Sequence, residues 1–423
     1  MSAYSNKVGN GFRWLANPYG FLDEALAQKG LTFRMALPGF GKALMTGDPR
    51  LIQEIIVSQH LVGGKGISVL RPILGDESLI MLHGPAHQSR RRLVSGPFRR
   101  HDTARYDECA VALTQEFVRK LPLDQPFSIY ELARTVSLQI IIRLLFGEKS
   151  PAEARTIQAL TEVFLSTFCS PLILFLKPLH LNLGRFTPWG RAILNRERLV
   201  RYIAAQIEWQ RQSPCEDGSI LAHIVQKSEA ETLSVEQICA ELLALLIFGH
   251  ETGAAAIAWA FAHIYQRPDV LAGIKQEAFS GGEVQPYLEA CINESMRLCP
   301  VVVQLIRVAE KDLVLANHAI KTGETVIPCT YLAHHNPDVF PRPERFVPER
   351  FMNGARYPYS FFPFGFGART CIGKPFMLRQ MPLIVSTIIQ STELALAPGY
   401  EPRPVRQMVL IVPKGGTLMV RRG

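Results

Sequence analysis

Apolar positions along this chain follow a helical spacing far more often than an alternating one. Leu31 to Met35 and Ala43 to Thr46 read as short strands, and Val409 to Val412 and Thr417 to Val420 add β-rich segments near the end. Between about Glu108 and Gln390 the spacing predicts mostly helix. Thr187 to Gln212 reads as a long amphipathic helix with Ile193, Leu194, Val200, Ile203, Ile207 and Trp209 as its apolar positions. Thr187 is placed to cap it and Pro188 to begin it. Ser234 followed three residues later by Gln237 forms a capping box. It predicts a helix from Val235 to about Tyr265, stopped by Pro268. Such a helix is about 45 Å long, enough to cross a whole domain. The expectation is a mainly α protein with minor β and a single domain over 1–423. Its β-richer part ends near residue 80 and its helical part begins near 81.

Composition narrows the class. Of 423 residues, 48% are hydrophobic and 20% charged, which argues against disorder and collagen-like structure. Eight cysteines with no CxxC pair are too sparse for a disulfide framework, so a reduced, cytoplasmic setting is expected. The opening MSAYSNKVGNGFRWLANPYGF is polar and Gly-rich and has no signal-peptide pattern. A spanning helix needs about 20 apolar residues. Ile238 to Phe248 carries Glu241, and Pro171 to Leu176 ends at Lys177, so no membrane span is expected. Lys plus Arg number 46 against 37 Asp plus Glu, a net +9. That modest excess, without basic arms or aromatic–basic repeats, gives little support to nucleic-acid binding. An acidic protein partner explains it equally well.

The sharpest local feature is the string Phe364-Gly365-Phe366-Gly367-Ala368-Arg369-Thr370-Cys371-Ile372-Gly373. Glycines let a backbone turn sharply and bring N–H groups towards sulfur. The helix expected from Lys374 favours negative charge at its start, as a thiolate has. The competing reading is one more buried core thiol. A phosphate loop is a poor rival, because Thr370 stands where the third glycine of GxGxxG belongs and no parallel βαβ pattern surrounds it.

The string resembles the FxxGxRxCxG signature of the cytochrome P450 superfamily of haem-thiolate enzymes. Three further family-like features precede it in order, so that the resemblance runs from about Met81 to Gly373. His87 and Arg91, one helical turn apart, match a pair that binds a haem propionate. Gly249-His250-Glu251-Thr252 resembles the (A/G)Gx(D/E)T segment, in which an acid and an alcohol sit in mid-helix. A threonine can bond the carbonyl four residues back and open the helix to water, which a carboxyl can supply with protons. Its bland reading is a polar patch on a helix surface. A zinc HExxH fails, because Ala254 replaces the second histidine. Glu294-Ser295-Met296-Arg297 is an ExxR, which in the family joins an arginine from a PERF segment. Two such segments occur, ending in Arg345-Phe346 and Arg350-Phe351, and Arg350 is the preferred partner.

The resemblance implies the P450 fold, a triangular prism of helices with small sheets around a buried haem b. It implies Cys371 as the axial iron ligand. His87, Arg91, Arg307, Phe364, Arg369 and Gly373 become cofactor-binding residues, and Glu251 and Thr252 catalytic ones. Glu294, Arg297 and Arg350 become a structural ion network. Leu245, Phe248, Val301, Val302, Val303 and Leu305 are implied to line the substrate pocket, with 67–81 and 167–186 as a more mobile rim. Phe248 departs from the usual Ala or Gly, and Gly253 stands where a second Thr is common. The apolar run from Ser170 to Leu176 reads as core or as a lid over an apolar substrate.

The implied reaction inserts one atom of O2 into an apolar molecule, such as a terpenoid, fatty acyl chain, steroid or polyketide of secondary metabolism. A thiolate ligand favours O–O cleavage. Two electrons come from an external ferredoxin or flavodoxin-like donor, since no flavin or nicotinamide motif is visible. Arg90, Arg92, Arg99, Arg100, Lys374 and Arg379 are expected on a basic face that steers it. His83, His101, His334 and His335 lack any such spacing logic and read as loop or surface residues. Two alternatives stay open. One is a peroxide-driven or isomerising enzyme on the same fold. The other is a non-catalytic haem sensor or carrier.

Overall fold

The computed structural model describes residues 13–37, 41–63, 67, 70–98, 104–168, 179–231, 233–279 and 285–422. In chain order, α1 (Pro18–Lys29) leads into β1 (Thr32–Leu37), β2 (Gly41–Thr46), α2 (Pro49–Val57) and β3 (Leu61–Val62). Then come α3 (Gly84–Ser95), α4 (Asp107–Arg119), β4 (Pro126–Ser128), α5 (Ile129–Phe146) and α6 (Pro151–Phe168). The long helices α7 (Pro188–Gln212) and α9 (Val235–Tyr265) flank α8 (Ile220–Glu231). After α10 (Pro268–Phe279) and α11 (Pro286–Leu298) run β5 (Arg307–Ala309), β6 (Leu313–Leu315), β7 (His318–Ile320) and β8 (Thr325–Pro328). The chain closes with α12 (Thr330–His334), α13 (Lys374–Ser391), β9 (Leu394–Leu396), β10 (Pro404–Gln407), β11 (Leu410–Pro413) and β12 (Leu418–Arg421).

Two compact units emerge. The first comprises Met1–Val62, Asp107–Val136 and Thr252–Gly423, the second Gly63–Tyr106 and Ser137–Glu251. Every labelled strand belongs to the first unit. Its main sheet has the order β1-β2-β8-β5-β3, with only β2 and β8 parallel. Those two strands are apolar on both faces: Leu44, Met45, Val326 and Ile327 are all buried. One side of the sheet packs Leu44, Leu61, Ala309 and Val326 against Leu51 and Ile55 of α2. Asp48 starts α2 by accepting the Arg50 N–H at 2.9 Å, and Pro49 supplies the first helical residue.

The second unit is helical. Thr187 caps α7 by accepting the Gly190 N–H at 3.1 Å. Of the apolar positions expected to face inward on α7, Ile203 and Ile207 are buried, as is Leu199. Leu194 and Trp209 are exposed, and the ring of Trp209 instead carries the Lys149 ammonium at 4.9 Å. At the start of α9 the capping box is complete. Gln237 donates its N–H to Ser234 Oγ at 3.3 Å, and Ser234 donates its N–H to Gln237 Oε1 at 3.1 Å. By length and composition α9 could cross a membrane, with a best window of mean hydropathy 1.5, but 72% of that window is buried in the protein. That is how a helix apolar on all sides is accommodated in a core.

Candidate active site

The cysteine loop lies in the first unit and is shaped by its glycines. Gly365 and Gly367 have φ of 70° and 60°, a region that costs a side-chain-bearing residue about 1–2 kcal/mol. The turns bring the Cys371 N–H to the Phe364 carbonyl at 2.8 Å and the Gly365 N–H to the Phe362 carbonyl at 2.9 Å. Ile52, Ala333 and Phe362 back the loop, with Ile56, Leu305 and Phe366 packed on them. Cys371 itself is exposed, unlike the buried Cys239, Cys291 and Cys329. The core-thiol reading of Cys371 therefore fails. Gly373, the cap of α13, approaches closely enough that a Cβ there would meet Cys371 Sγ at 3.8 Å. The sulfur thus sits beside a helix N-terminus, where a negative charge is favoured.

Two cations accompany the loop. Arg307, at the start of β5, holds its guanidinium 5.8 Å from the ring centre of Phe366 and donates to the Ile306 carbonyl at 3.0 Å. Burial, and then the like charge of Arg369, push its pKa down to about 10. An anion beside Arg307 would offset both causes.

The ExxR is fully buried. Arg297 donates to both carboxylate oxygens of Glu294, at 2.7 and 2.8 Å. It also donates to the carbonyls of His334 at 2.9 Å and Arg345 at 3.1 Å. Glu294 accepts the Val347 N–H at 3.0 Å, and Arg350 Nε lies 3.4 Å from its Oε1. Arg350 is thus the PERF arginine at the pair. Arg345 contributes only its carbonyl, while its exposed side chain lies 3.9 Å from Glu344. His334 and His335 are buried rather than on the surface. Burial drives the His334 pKa well below the usual value, helped by His335 and Arg297, and lowers that of His335 to about 3. Among the residues expected to line a pocket, Val303 is buried, whereas Val301, Val302 and Leu305 are half-buried.

In the second unit, His87 is buried and Arg91 half-buried, one turn apart on α3. On α9, Gly249 permits a close approach: a Cβ there would lie 2.8 Å from Ile141 Cδ1 on α5. Leu245 and Phe248 are half-buried. His250 is fully buried, its Nδ1 2.7 Å from the Leu246 carbonyl and its Nε2 3.4 Å from Glu251 Oε1. Glu251 is buried and Thr252, next on the helix, half-buried.

Sequence reasoning missed a second buried charge pair. Arg90 does not contribute to a basic face. It is buried, donating to Glu241 at 2.8 Å and to the Glu77 carbonyl at 3.1 Å. Glu241 also accepts the Leu79 N–H at 2.8 Å. The signal was present as one acid in an apolar helix, but its partner is far away in sequence. Arg379 is also engaged, holding Asp107 at 2.7 and 2.9 Å. Arg92 and Lys374 remain exposed. Leu181, Leu183 and Phe186 on the expected rim are exposed too. The run from Ser170 to Leu176, together with Arg99, Arg100 and His101, lies outside the described residues.

The first unit's donor set suits a haem. It offers an exposed thiol at a helix start, an apolar bed, and two neighbouring guanidinium groups of the kind that carboxylate substituents satisfy. The comparisons agree. A sequence model of the family described as Cytochrome P450 matches residues 14–420. "Putative cytochrome P450 137" of Mycobacterium tuberculosis is 28% identical over 395 residues, covering 92% of this chain and 82% of that protein. "Putative cytochrome P450 135B1" of Mycobacterium bovis is 27% identical over 412 residues, covering 95% and 87%. The fold matches the retinoic acid-bound cyanobacterial CYP120A1 with a TM-score of 0.86 at 22% identity, over 98% of this chain and 96% of that one. The chain belongs to the cytochrome P450 family: it is a haem-thiolate monooxygenase that uses haem b, O2 and electrons from an external redox partner.

Proposed function

We propose that Cys371 is the thiolate ligand of the haem iron and that the enzyme oxidises an apolar small molecule. The observation that carries this reading is the exposed Cys371 on its glycine-shaped loop beside the start of α13. Haem supplies oxygen activation; this chain supplies binding, orientation and proton control. Arg307 and Arg369 take propionate, and Arg307 thereby gains an anion that offsets its burial and its like-charged neighbour. His87 and Arg91 serve the same end from α3. Phe364 and Gly373 shape the seat of the cofactor, and Glu294, Arg297 and Arg350 hold its scaffold.

With haem bound, Glu251 and Thr252 would deliver protons to the reaction. The intact acid–alcohol pair favours monooxygenation with an electron donor over peroxide-driven or isomerising chemistry. Leu245 and Phe248 on α9, and Val301, Val302, Val303 and Leu305 after α11, carry the apolar side chains that favour a substrate of the terpenoid, fatty acyl, steroid or polyketide type. Retinoic acid, carried by the cyanobacterial structure, belongs to the same broad class. The chain functions as one domain in the cytoplasm.

The donor is an acidic ferredoxin or flavodoxin-like protein. Arg92 and Lys374, both exposed, are the described cations left to steer it. Its association weakens as salt rises, and Arg92→Ala or Lys374→Ala weakens it at low salt only. The carbon monoxide spectrum of the reduced protein tests the ligand. The wild type should show the family's red-shifted Soret band and Cys371→Ala should lose it. A red-shifted band that survives Cys371→Ala would overturn the assignment.

A further inference from the structure

His334 occupies a junction that the ion network alone does not explain. Its carbonyl accepts from Arg297 Nη1 at 2.9 Å, and its Nδ1 lies 3.3 Å from the carbonyl of Arg297. Its Nε2 lies 3.0 Å from the backbone nitrogen of Phe362. These contacts fix the tautomer. A backbone N–H can only donate, so Nε2 is the acceptor and carries no proton. A carbonyl can only accept, so Nδ1 carries the proton and donates it to Arg297. The ring is therefore neutral, as its complete burial requires. Phe361 and Phe362 flank it, with ring centres 5.1 and 5.5 Å away.

From Phe362 the path to the cysteine is short. The Phe362 carbonyl accepts the Gly365 N–H at 2.9 Å, and the Phe364 carbonyl accepts the Cys371 N–H at 2.8 Å. One imidazole thus joins the arginine of the buried ion network to the entry of the cysteine loop. We propose that His334 is a positioning residue for Cys371, and that its Nε2 holds the Phe362 peptide so that the loop presents the thiol in ligating geometry. The proposal rests on Cys371 being the iron ligand.

Removing the acceptor leaves a buried peptide N–H unsatisfied two residues before Phe364, and the loop must shift to find it a partner. Removing only the Nδ1–H leaves that peptide held. Two substitutions separate these cases. The amide oxygen of His334→Gln reaches about where Nε2 stands and restores the acceptor. His334→Asn reaches only as far as Nδ1 and cannot.

The experiment uses the haem-loaded full chain. It reads the fraction of the reduced carbon monoxide complex whose Soret band is unshifted, the sign of a lost or protonated thiolate. It also reads the ferric–ferrous potential. His334→Ala and His334→Asn should raise the unshifted fraction several-fold and move the potential, and His334→Gln should restore both. Leu51→Ala, a deletion in the core under the main sheet, controls for general loss of stability. Equal behaviour of the Gln and Asn variants, or an unshifted fraction in Leu51→Ala as large as in His334→Ala, would overturn the proposal. So would a band unchanged in His334→Ala. A wild-type protein without the red-shifted band would instead sink the assignment of Cys371, so the two failures are distinguishable.

Discussion

Replacing Glu241 with glutamine tests whether this buried carboxyl prefers to be neutral. Glu241 is 2% exposed, faces Arg90 and Leu79, and its pKa is raised from 4.5 to about 7, with burial outweighing the attraction of Arg90. A carboxyl whose folded pKa is raised binds its proton more tightly in the native state than in the unfolded one. Its contribution is complete below about pH 4.5 and is lost as pH rises to about 7. At 1.36 kcal/mol for each pH unit between those values, the loss is about 3 kcal/mol. Glutamine keeps an acceptor for Leu79 and Arg90 but cannot ionise. The other titrating groups are common to both proteins and cancel in the difference. Urea unfolding of wild type and Glu241→Gln, compared at equal slope, should therefore show the variant gaining about 3 kcal/mol on the wild type between about pH 4.5 and 8. A constant difference across that range would refute the reasoning. A wild type that gains on the variant with rising pH would show that the ionised pair stabilises the fold and that burial does not dominate.

Three further outcomes are expected. Thr252→Ala should retain haem but divert electrons to peroxide, read as peroxide formed per O2 consumed, and unchanged coupling removes Thr252 from proton delivery. Phe248→Ala should alter where the substrate is oxidised, and an identical product pattern means that the ring points elsewhere. Gly253→Ala should change stability by less than about 1 kcal/mol, because mid-helix alanine is favoured over glycine by about that much and the new Cβ meets only the flexible end of Met377, its Cε and, at 3.1 Å, its Sδ. The variant should gain in a Met377→Ala background, with a coupling of about 0.5 kcal/mol or more in a double-mutant cycle; strict additivity would deny the contact.

What could be read from the sequence follows the range of the interactions involved. The boundaries of α9 were legible because Ser234, Gln237 and Pro268 act within a few residues of themselves. Four of the twelve labelled strands were legible to within a residue or two, Ala43 to Thr46 lying inside β2 and Val409 to Val412 overlapping β11, whereas the short strands β5 to β8 fell in a stretch read as mostly helix. The apolar face of α7 was only half legible. Which side a neighbouring helix covers is a tertiary fact, and Leu194 and Trp209 fall on the uncovered side. The twin PERF segments are locally alike, and only three-dimensional position brings Arg350 rather than Arg345 to Glu294. His334 and Arg90 were misread for one cause. Buried polar side chains are identified by their partners, and those partners stand 37 and 151 positions away.

The two buried polar clusters differ in a way that bears on what each can do. Around Arg297 most donors and acceptors are matched: Glu294 receives Arg297 and the Val347 N–H, and His334 bonds at its carbonyl and both ring nitrogens, while Arg350 Nε, 3.4 Å from Glu294, makes an ion pair without a hydrogen bond. A densely bonded network favours one arrangement, which suits a scaffold behind the proposed ligand loop. Burial holds the His334 pKa well below its ordinary value, which favours the neutral ring that this arrangement needs. Glu241 is different. It has a cation and a backbone N–H for partners, yet burial leaves its charged and neutral forms close in free energy near neutral pH. The same helix that carries Glu251 and Thr252 therefore contains, ten residues earlier, a carboxyl whose charge state changes within the physiological range. Fixed structure lies behind the cysteine, and adjustable charge lies along the helix proposed to deliver protons. That division matches the needs of the proposed thiolate ligand, which must not move, and of the proposed proton path, which must gain and lose charge in every turnover.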